Sequence, residues 1–280
     1  MNYITLNTGA KMPLEGFGVF QIPDMTECEH VVYDAIKVGY RLFDTAAAYY
    51  NEEAVGKAIA RAIADGLTTR EELFIVTKLW VQDASYEAAK VAIRTSLEKL
   101  GLDYVDLYLF HQPMGDYFGA YRAMEEAYEE GILKAIGVAN CYPAILANIC
   151  ETVKVIPAVD QVELHPFFQQ WDALENMKAY GVQPMAWGPL AEGKHGIFTD
   201  PELTAIGAKY GKTAGRRSYS AGTSSVAWSS SRSPQSRPVW HRTWTSGTLN
   251  SAKRIWPSSQ KRTSATVKSS ITAIRPLSRL

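Results

Sequence analysis

The first 213 residues alternate short apolar runs, rich in β-branched and aromatic side chains, with longer stretches of helical periodicity. This alternation is typical of βα units that build a parallel sheet. The seven runs predicted as strands cover residues 16–20, 41–46, 73–79, 104–111, 133–140, 157–164 and 183–190. Helical patterns lie between them, for example at 51–66 and 85–100, and a last helix is expected at 201–210.

An eighth unit would close such a sheet into a (β/α)8 TIM barrel, whose reactive residues lie at the C-terminal ends of the strands. We therefore predict an α/β barrel with seven recognisable βα units and an atypical C-terminal segment. A Rossmann fold is not indicated, because no GxGxxG sequence opens a helix after the first strand.

The net charge of zero conceals a division of the chain near residue 214. All 29 acidic residues lie in 1–213 with 17 of the 29 Lys and Arg, so this part carries −12 and residues 214–280 carry +12. Serine occurs twice in the first part and 17 times in the second. We assign a barrel to 1–213 and a basic, Ser/Arg-rich tail to 214–280.

Several classes of protein are disfavoured by composition. No run approaches the roughly 18 apolar residues of a membrane span, and the first residues lack the pattern of a signal peptide. The three cysteines have no metal-binding spacing and suit free thiols in a reducing compartment. We expect a cytoplasmic protein with no metal, no membrane and no nucleic-acid partner.

Chemically versatile side chains collect at the predicted strand ends. Because the C-terminal ends of barrel strands meet at one face, these residues are predicted to share one site. They are Asp44, Lys78, His111, Asn140, Gln161 and Trp187.

Four of the residues near these ends make a set suited to carbonyl reduction. The carbonyl oxygen gains negative charge as hydride reaches the carbon, so a proton donor must lie beside it. Tyr49 is a candidate donor, and a neighbouring Lys78 held by Asp44 would lower the pKa of its phenol. His111 would orient or polarise the carbonyl. On chemistry alone, the adjacent Tyr50 is an equal candidate for the acid.

The order and spacing of DTAAAYYNE, then TKLW, then a strand-terminal histidine resemble the aldo-keto reductase superfamily. The resemblance extends through all seven strands and implies a reductase of aldehydes and ketones that uses NADPH, with Tyr49 rather than Tyr50 as the acid. GPLAEGKHGIF is similar to the bacterial branch that contains diketogluconate and small-dicarbonyl reductases. The expected partner is a small carbonyl substrate, and we expect a monomer.

The resemblance also implies further site residues, through GVANC, DQVELHP and AWGPLAEGK. Asn140 and Gln161 correspond to ligands of the nicotinamide carboxamide, and Trp187 to the residue that stacks on the nicotinamide ring. Gly188 and Leu190 would lie near the pyrophosphate, and Phe20 and Trp80 would form aromatic walls of the substrate pocket. Two positions depart from the pattern: Ala139 replaces a serine and Asp160 replaces an asparagine.

The family pattern stops near residue 214. An eighth strand reading roughly VVVIPKS and a following RIxEN, which hold the adenosine 2′-phosphate, are absent from the tail. Disorder and a basic nucleic-acid tail are two interpretations. A third is translation out of frame: codons for VAWSSSRSP (226–234) can be written so that reading from the third base gives GVVVIPKS. We favour the third.

This interpretation bears on both fold and function. A barrel of seven strands would leave two unpaired edges and invite aggregation. The chain is then either an active reductase, a non-functional frameshift product, or a barrel that binds the cofactor without catalysis.

Overall fold

The computed structural model describes residues 2–208 and the backbone of residues 224–228. Eight parallel strands form a closed barrel. In chain order they are β3 (Glu15–Gly18), β4 (Leu42–Asp44), β5 (Phe74–Leu79), β6 (Leu107–Phe110), β7 (Ile136–Ala139), β8 (Val159–Glu163), β9 (Gln183–Trp187) and β10 (Ser224–Trp228). Each pairs with the next along the chain, and β10 closes the barrel against β3. The predicted fold class is confirmed.

A helix follows each of the first seven barrel strands. These helices are α1 (Met25–Lys37), α2 (Glu52–Ala64), α3 (Tyr86–Leu100), α4 (Tyr117–Glu129), α5 (Pro143–Cys150), α6 (Trp171–Tyr180) and α7 (Pro201–Ala208). Side chains cap several of them: Ser85 accepts from the N–H of Ala88 at the start of α3, and Gly101 ends that helix in the left-handed conformation. The predicted helices at 51–66 and 85–100 are confirmed with ends shifted by one or two residues.

All seven predicted strands are present, but each is shorter than its apolar run. The ends of the runs continue into loops at the barrel rim, where side chains remain half-buried without being paired. The sequence analysis missed an antiparallel hairpin, β1 (Tyr3–Thr5) and β2 (Lys11–Pro13), that precedes the barrel. Its three-residue strands are too short to show an alternating pattern.

The eighth position of the barrel corrects the expectation of two unpaired edges. The backbone of β10 pairs with β3 from Ser225↔Glu15 to Trp228↔Gly18, and with β9 at Ser224↔Met185 and Ser225↔Ala186. The edges of β3 and β9 offer backbone N–H and C=O groups, and any extended segment can satisfy them because ladder hydrogen bonds do not depend on side-chain identity. The rest of the 214–280 assignment, including its frame, lies outside the described residues.

Two apolar cores support the barrel. The larger lies between the strands and the helices and includes Phe43, Ile75 and Tyr108. The smaller fills the barrel interior at the end opposite the predicted site, where Met12 of the hairpin packs near Leu42 of β4. The hairpin therefore plugs the N-terminal end of the barrel and leaves the C-terminal end for polar side chains.

Candidate active site

Lys78 is a fully buried lysine whose ammonium group is saturated with acceptors. Its Nζ donates to Asp44 Oδ1 at 2.6 Å, to the Thr45 carbonyl oxygen at 2.9 Å and to Tyr49 Oη at 3.3 Å. An ammonium has three donors and no acceptor, so these three bonds use its full capacity. Strands β4 and β5 are neighbours, which brings Asp44 and Lys78 together at their C-terminal ends.

Tyr49 and Tyr50 point to different surroundings. A short 3-10 turn (Ala47–Tyr49) follows β4 and directs the half-buried Tyr49 towards Lys78. Tyr50 ends that turn with φ of 58°, and 82% of its side chain is exposed. The structure therefore brings Tyr49, and not Tyr50, into contact with the lysine.

The pKa values of the pair correct one detail of the sequence analysis. Burial raises the pKa of Tyr49 above its ordinary value, and the Lys78 ammonium offsets this effect only in part. Burial opposes the charged form of Lys78, but Asp44 and then Tyr49 outweigh it and raise the pKa of Lys78. Tyr49 is thus a neutral phenol beside a firmly charged ammonium, and it carries the proton that a general acid needs.

His111 lies beside the tyrosine as a neutral imidazole. Burial, and then the positive charge of Lys78, lowers its pKa from 6.5 to about 3. Its ring meets Tyr49 edge-on at 5.7 Å between centroids and Trp80 at 4.9 Å. Phe20 lies 4.9 Å from the Tyr49 ring, and 44% of its side chain is exposed. Phe20 and Trp80 are therefore close enough to the four central residues to wall a substrate pocket.

The three residues expected to hold nicotinamide lie on the adjacent strands β7, β8 and β9. Asn140 Nδ2 donates to the His111 carbonyl oxygen at 3.1 Å, and its Oδ1 accepts from Trp187 Nε1 at 2.9 Å. Gln161 Nε2 donates to Asp44 Oδ2 at 2.9 Å and to Met185 Sδ at 3.4 Å. The structure thus joins the predicted cofactor residues to the predicted catalytic residues in one hydrogen-bonded network.

The segment after β9 contains the two remaining predicted residues. Gly188 has φ of 60° and Leu190 precedes a 3-10 turn (Ala191–Gly193). Ala191 and Glu192 also have left-handed backbones, which brings successive N–H groups of this rim segment to the surface of a tight turn. Gly188 and Leu190 therefore lie at the same end of the barrel as the other site residues, on a loop beside Trp187.

Two residues that sequence reasoning quoted without a role support this arrangement. Asn51 is buried, donates to the carbonyl oxygens of Val19 and Ile22, and accepts from the Thr45 hydroxyl. Its position thereby fixes Thr45, whose carbonyl oxygen accepts from Lys78. The available signal was the Asn-Glu pair that directly follows the two tyrosines.

A model of the Aldo/keto reductase family matches residues 16–219. The chain belongs to this family. Its catalytic candidates all lie within the matched residues, and the match ends six residues beyond the point where composition changes. The resemblance stated from the motifs is confirmed.

Curated relatives of this aldo/keto reductase include three bacterial proteins. It is 42% identical over 210 residues to an uncharacterized oxidoreductase, YtbE, of Bacillus subtilis, covering 75% of this chain and 74% of the relative. It is 41% identical to the glyoxal reductase of B. subtilis, covering 75% and 74%. It is 42% identical to methylglyoxal reductase DkgA of Escherichia coli O157:H7, covering 75% of each chain. By family and relatives, the chain is an oxidoreductase.

Solved structures of the family share the fold. A Bombyx mori aldo-keto reductase in complex with NADP has a TM-score of 0.77 and is 34% identical, with 81% of this chain and 83% of that chain covered. An aldo/keto reductase from Brucella melitensis has a TM-score of 0.74 and is 38% identical, with coverage of 80% and 87%. Within residues 2–208 and 224–228, no helix is long and apolar enough to cross a membrane, and no three His, Cys, Asp or Glu residues form a metal-binding group.

Proposed function

We propose that this protein reduces small aldehydes and ketones with NADPH, and that Tyr49 donates the proton to the carbonyl oxygen. The observation that carries the proposal is the position of Lys78 Nζ, which binds both Asp44 and Tyr49 in a buried site. The names of the glyoxal and methylglyoxal reductases support small dicarbonyls as substrates, and diketogluconate-type sugars belong to the same branch by sequence resemblance.

The residues present fit a nicotinamide. A primary carboxamide offers donors and an acceptor, and the Asn140 side chain keeps one N–H and one lone pair beyond its two hydrogen bonds. Gln161 uses both N–H groups and has its Oε1 as an acceptor. Trp187 provides an aromatic face beside them. Asn140 and Gln161 would hold the carboxamide, Trp187 the ring, and Gly188 and Leu190 the pyrophosphate.

The chemistry can be assigned to this chain's own residues. NADPH, when bound, supplies a hydride to the carbonyl carbon. Tyr49 transfers its phenolic proton to the carbonyl oxygen, which yields the alcohol, and then regains a proton from solvent. Lys78 stabilises the phenolate left behind, and Asp44 keeps the lysine charged and oriented. Neutral His111 contacts the substrate side of Tyr49 and orients the carbonyl.

The test compares two adjacent tyrosines. Purified full-length protein of confirmed mass is assayed for NADPH oxidation with methylglyoxal, alongside Tyr49→Phe and Tyr50→Phe. We expect Tyr49→Phe to lose at least about 100-fold in kcat, as removal of a general acid does, while NADPH binding persists. Tyr50→Phe is the matched control and should retain full activity, because its side chain is exposed. Equal turnover by Tyr49→Phe and the unaltered protein would refute the mechanism.

We also propose that residues 214–280 are read out of the family's frame. The codon reading of 226–234 as GVVVIPKS and the end of the family match at residue 219 support this. The Lys, Ser and Arg that the resemblance assigns to the 2′-phosphate are then missing, and the preference for NADPH over NADH should be weak. Resequencing the gene across codons 210–220 and measuring the intact mass test the frame. A gene and mass that agree with the printed tail in every relative strain would refute it.

A further inference from the structure

Asp160 is a buried carboxyl group with no cation beside it. It lies on β8 with none of its surface exposed, and it forms no ion pair within the described residues. Oδ1 accepts from the N–H of Cys141 at 3.4 Å, and Oδ2 has no hydrogen-bond partner. A charged carboxylate without a counter-ion is strongly disfavoured in such surroundings, so the group is neutral there.

The surroundings of Asp160 follow from the alternation of side chains along β8. Val159 and Gln161 face the barrel interior, whereas Asp160 and Val162 face the helix layer. The titratable neighbours on that side are the thiols of Cys141 and Cys150, which are themselves neutral because burial raises their pKa values. Burial likewise raises the pKa of Asp160, against a smaller opposing effect of the Cys141 N–H. The Lys78 ammonium lies on the opposite face of the sheet, bound to Asp44.

The turn after β7 connects Asp160 to the predicted nicotinamide site. Asn140 has φ of 58°, a left-handed conformation that a residue with a side chain adopts at an energetic cost. Two consecutive N–H groups of this turn bind β8: that of Asn140 binds the Gln161 carbonyl oxygen at 2.9 Å, and that of Cys141 binds Asp160. These two bonds hold the turn in the conformation that points the Asn140 amide towards His111 and Trp187.

We infer that Asp160 is a protonated carboxylic acid that positions Asn140 for the nicotinamide carboxamide by accepting the Cys141 N–H. A neutral acid has one acceptor oxygen and one O–H donor, which is the hydrogen-bonding capacity of an asparagine side chain at this place. Asp160 faces away from the barrel interior and is therefore a positioning residue, without contact to substrate. The inference rests on the proposed function, because it concerns the site in which NADPH would bind.

The experiment compares three variants by NADPH dissociation constant, measured as quenching of tryptophan fluorescence, and by steady-state kinetics. Asp160→Asn keeps the acceptor and should bind NADPH within about twofold of the unaltered protein. Asp160→Leu keeps the volume but removes the acceptor, and its dissociation constant should rise about tenfold, as expected for one lost hydrogen bond in a strained turn. KM for NADPH should rise with it, while kcat changes less. Should Asp160→Leu fail to fold, Asp160→Thr, whose hydroxyl is too short to reach the Cys141 N–H, gives the same comparison.

Glu125 provides the control for a merely structural carboxyl group. It is buried and accepts from the N–H groups of Lys154 and Val155, in the loop that leads to the opposite end of β8. Glu125→Leu should lower the melting temperature without changing the NADPH dissociation constant. If Asp160→Leu also changes only the melting temperature, the positioning role is refuted.

An infrared spectrum tests the protonation state without NADPH. The unaltered protein at neutral pH should show the carbonyl stretch of a protonated carboxylic acid, and Asp160→Asn should lose it. Absence of this band would overturn the neutral acid. If the protein fails to bind NADPH at all, the proposed function fails, whereas the infrared band and the hydrogen exchange of the Cys141 amide still report on Asp160.

Discussion

Gln161 Nε2 donates to Asp44 Oδ2 at 2.9 Å, across 117 residues of sequence. The other oxygen of the same carboxylate accepts from Lys78 at 2.6 Å. One carboxylate therefore connects the residue expected to bind the nicotinamide carboxamide with the residue expected to stabilise the Tyr49 phenolate. Because the two bonds share an acceptor group in a buried site, changes at either partner should be felt by the other.

Gln161→Leu should raise KM for NADPH about tenfold, because it removes both the Oε1 acceptor and the bond to Asp44. It should also lower kcat, since Asp44 loses the partner that holds its second oxygen. Gln183→Leu is the matched control: this glutamine begins β9 and its side chain binds only the Pro184 carbonyl oxygen among the bonds described. A Gln161→Leu enzyme with the kinetics of Gln183→Leu would contradict the coupling.

Asp44→Asn should destabilise the protein by about 3–5 kcal/mol, because it leaves the Lys78 ammonium buried without a counter-charge. The pKa of Lys78 should fall, since the carboxylate of Asp44 is what raises it against burial. Activity should fall at least about 100-fold. The double variant Asp44→Leu/Lys78→Met removes both charges and should recover much of the stability without activity. Urea unfolding and kcat/KM measure the two effects, and a double variant less stable than Asp44→Asn would contradict the explanation.

His111 should make stability fall as the pH is lowered from about 6.5 to about 3. The folded protein keeps this imidazole neutral through that range, whereas the unfolded chain protonates it, so the unfolded state binds the extra proton and gains from acid. His111→Gln should have a shallower slope of unfolding free energy against pH in this window. His30→Gln, on the exposed side of α1, is the control for losing a histidine. Equal slopes for His111→Gln and the unaltered protein would count against the neutral imidazole.

Gly56→Ala should destabilise the protein although alanine is the better helix former. A methyl group at Gly56 in α2 would lie 2.3 Å from the Leu100 carbonyl oxygen at the end of α3, and backbone cannot move aside as a flexible side chain can. We expect a loss of about 1–3 kcal/mol, as for overpacking of a core. Ala60→Gly, at an exposed position of the same helix, measures the intrinsic helix preference alone. An increase in melting temperature for Gly56→Ala would show that α2 and α3 are less closely packed.

A chain that ends at residue 213 should aggregate and lose a cooperative thermal transition. It lacks β10, which leaves β3 and β9 as unpaired edges of a sheet that must close. A chain that ends at residue 230 keeps the strand and is the comparison. Calorimetry and light scattering distinguish the two chains. Equal cooperative transitions would show that pairing through Ser224–Trp228 contributes nothing to the barrel.

The sequence was sufficient for the order of the barrel elements and for the residues at the strand ends. Apolar runs separated by helical periods report burial on both faces of a strand, which is a local property and can be read from residue types. The motif around Asp44 and Tyr49, together with Lys78 and His111, was likewise complete in the chain, and it indicated the family before any geometry was known.

Distances and relative orientation were decided by the tertiary structure alone. The choice between two adjacent tyrosines depends on a left-handed backbone at Tyr50, and the raised pKa of Tyr49 depends on how far burial outweighs one ammonium. The bond between Gln161 and Asp44 and the isolation of Asp160 arise from strands that are distant in sequence and adjacent or opposed in the barrel. Residue types determine which elements form, whereas barrel closure determines which of their side chains meet, because closure joins the ends of all strands at one face.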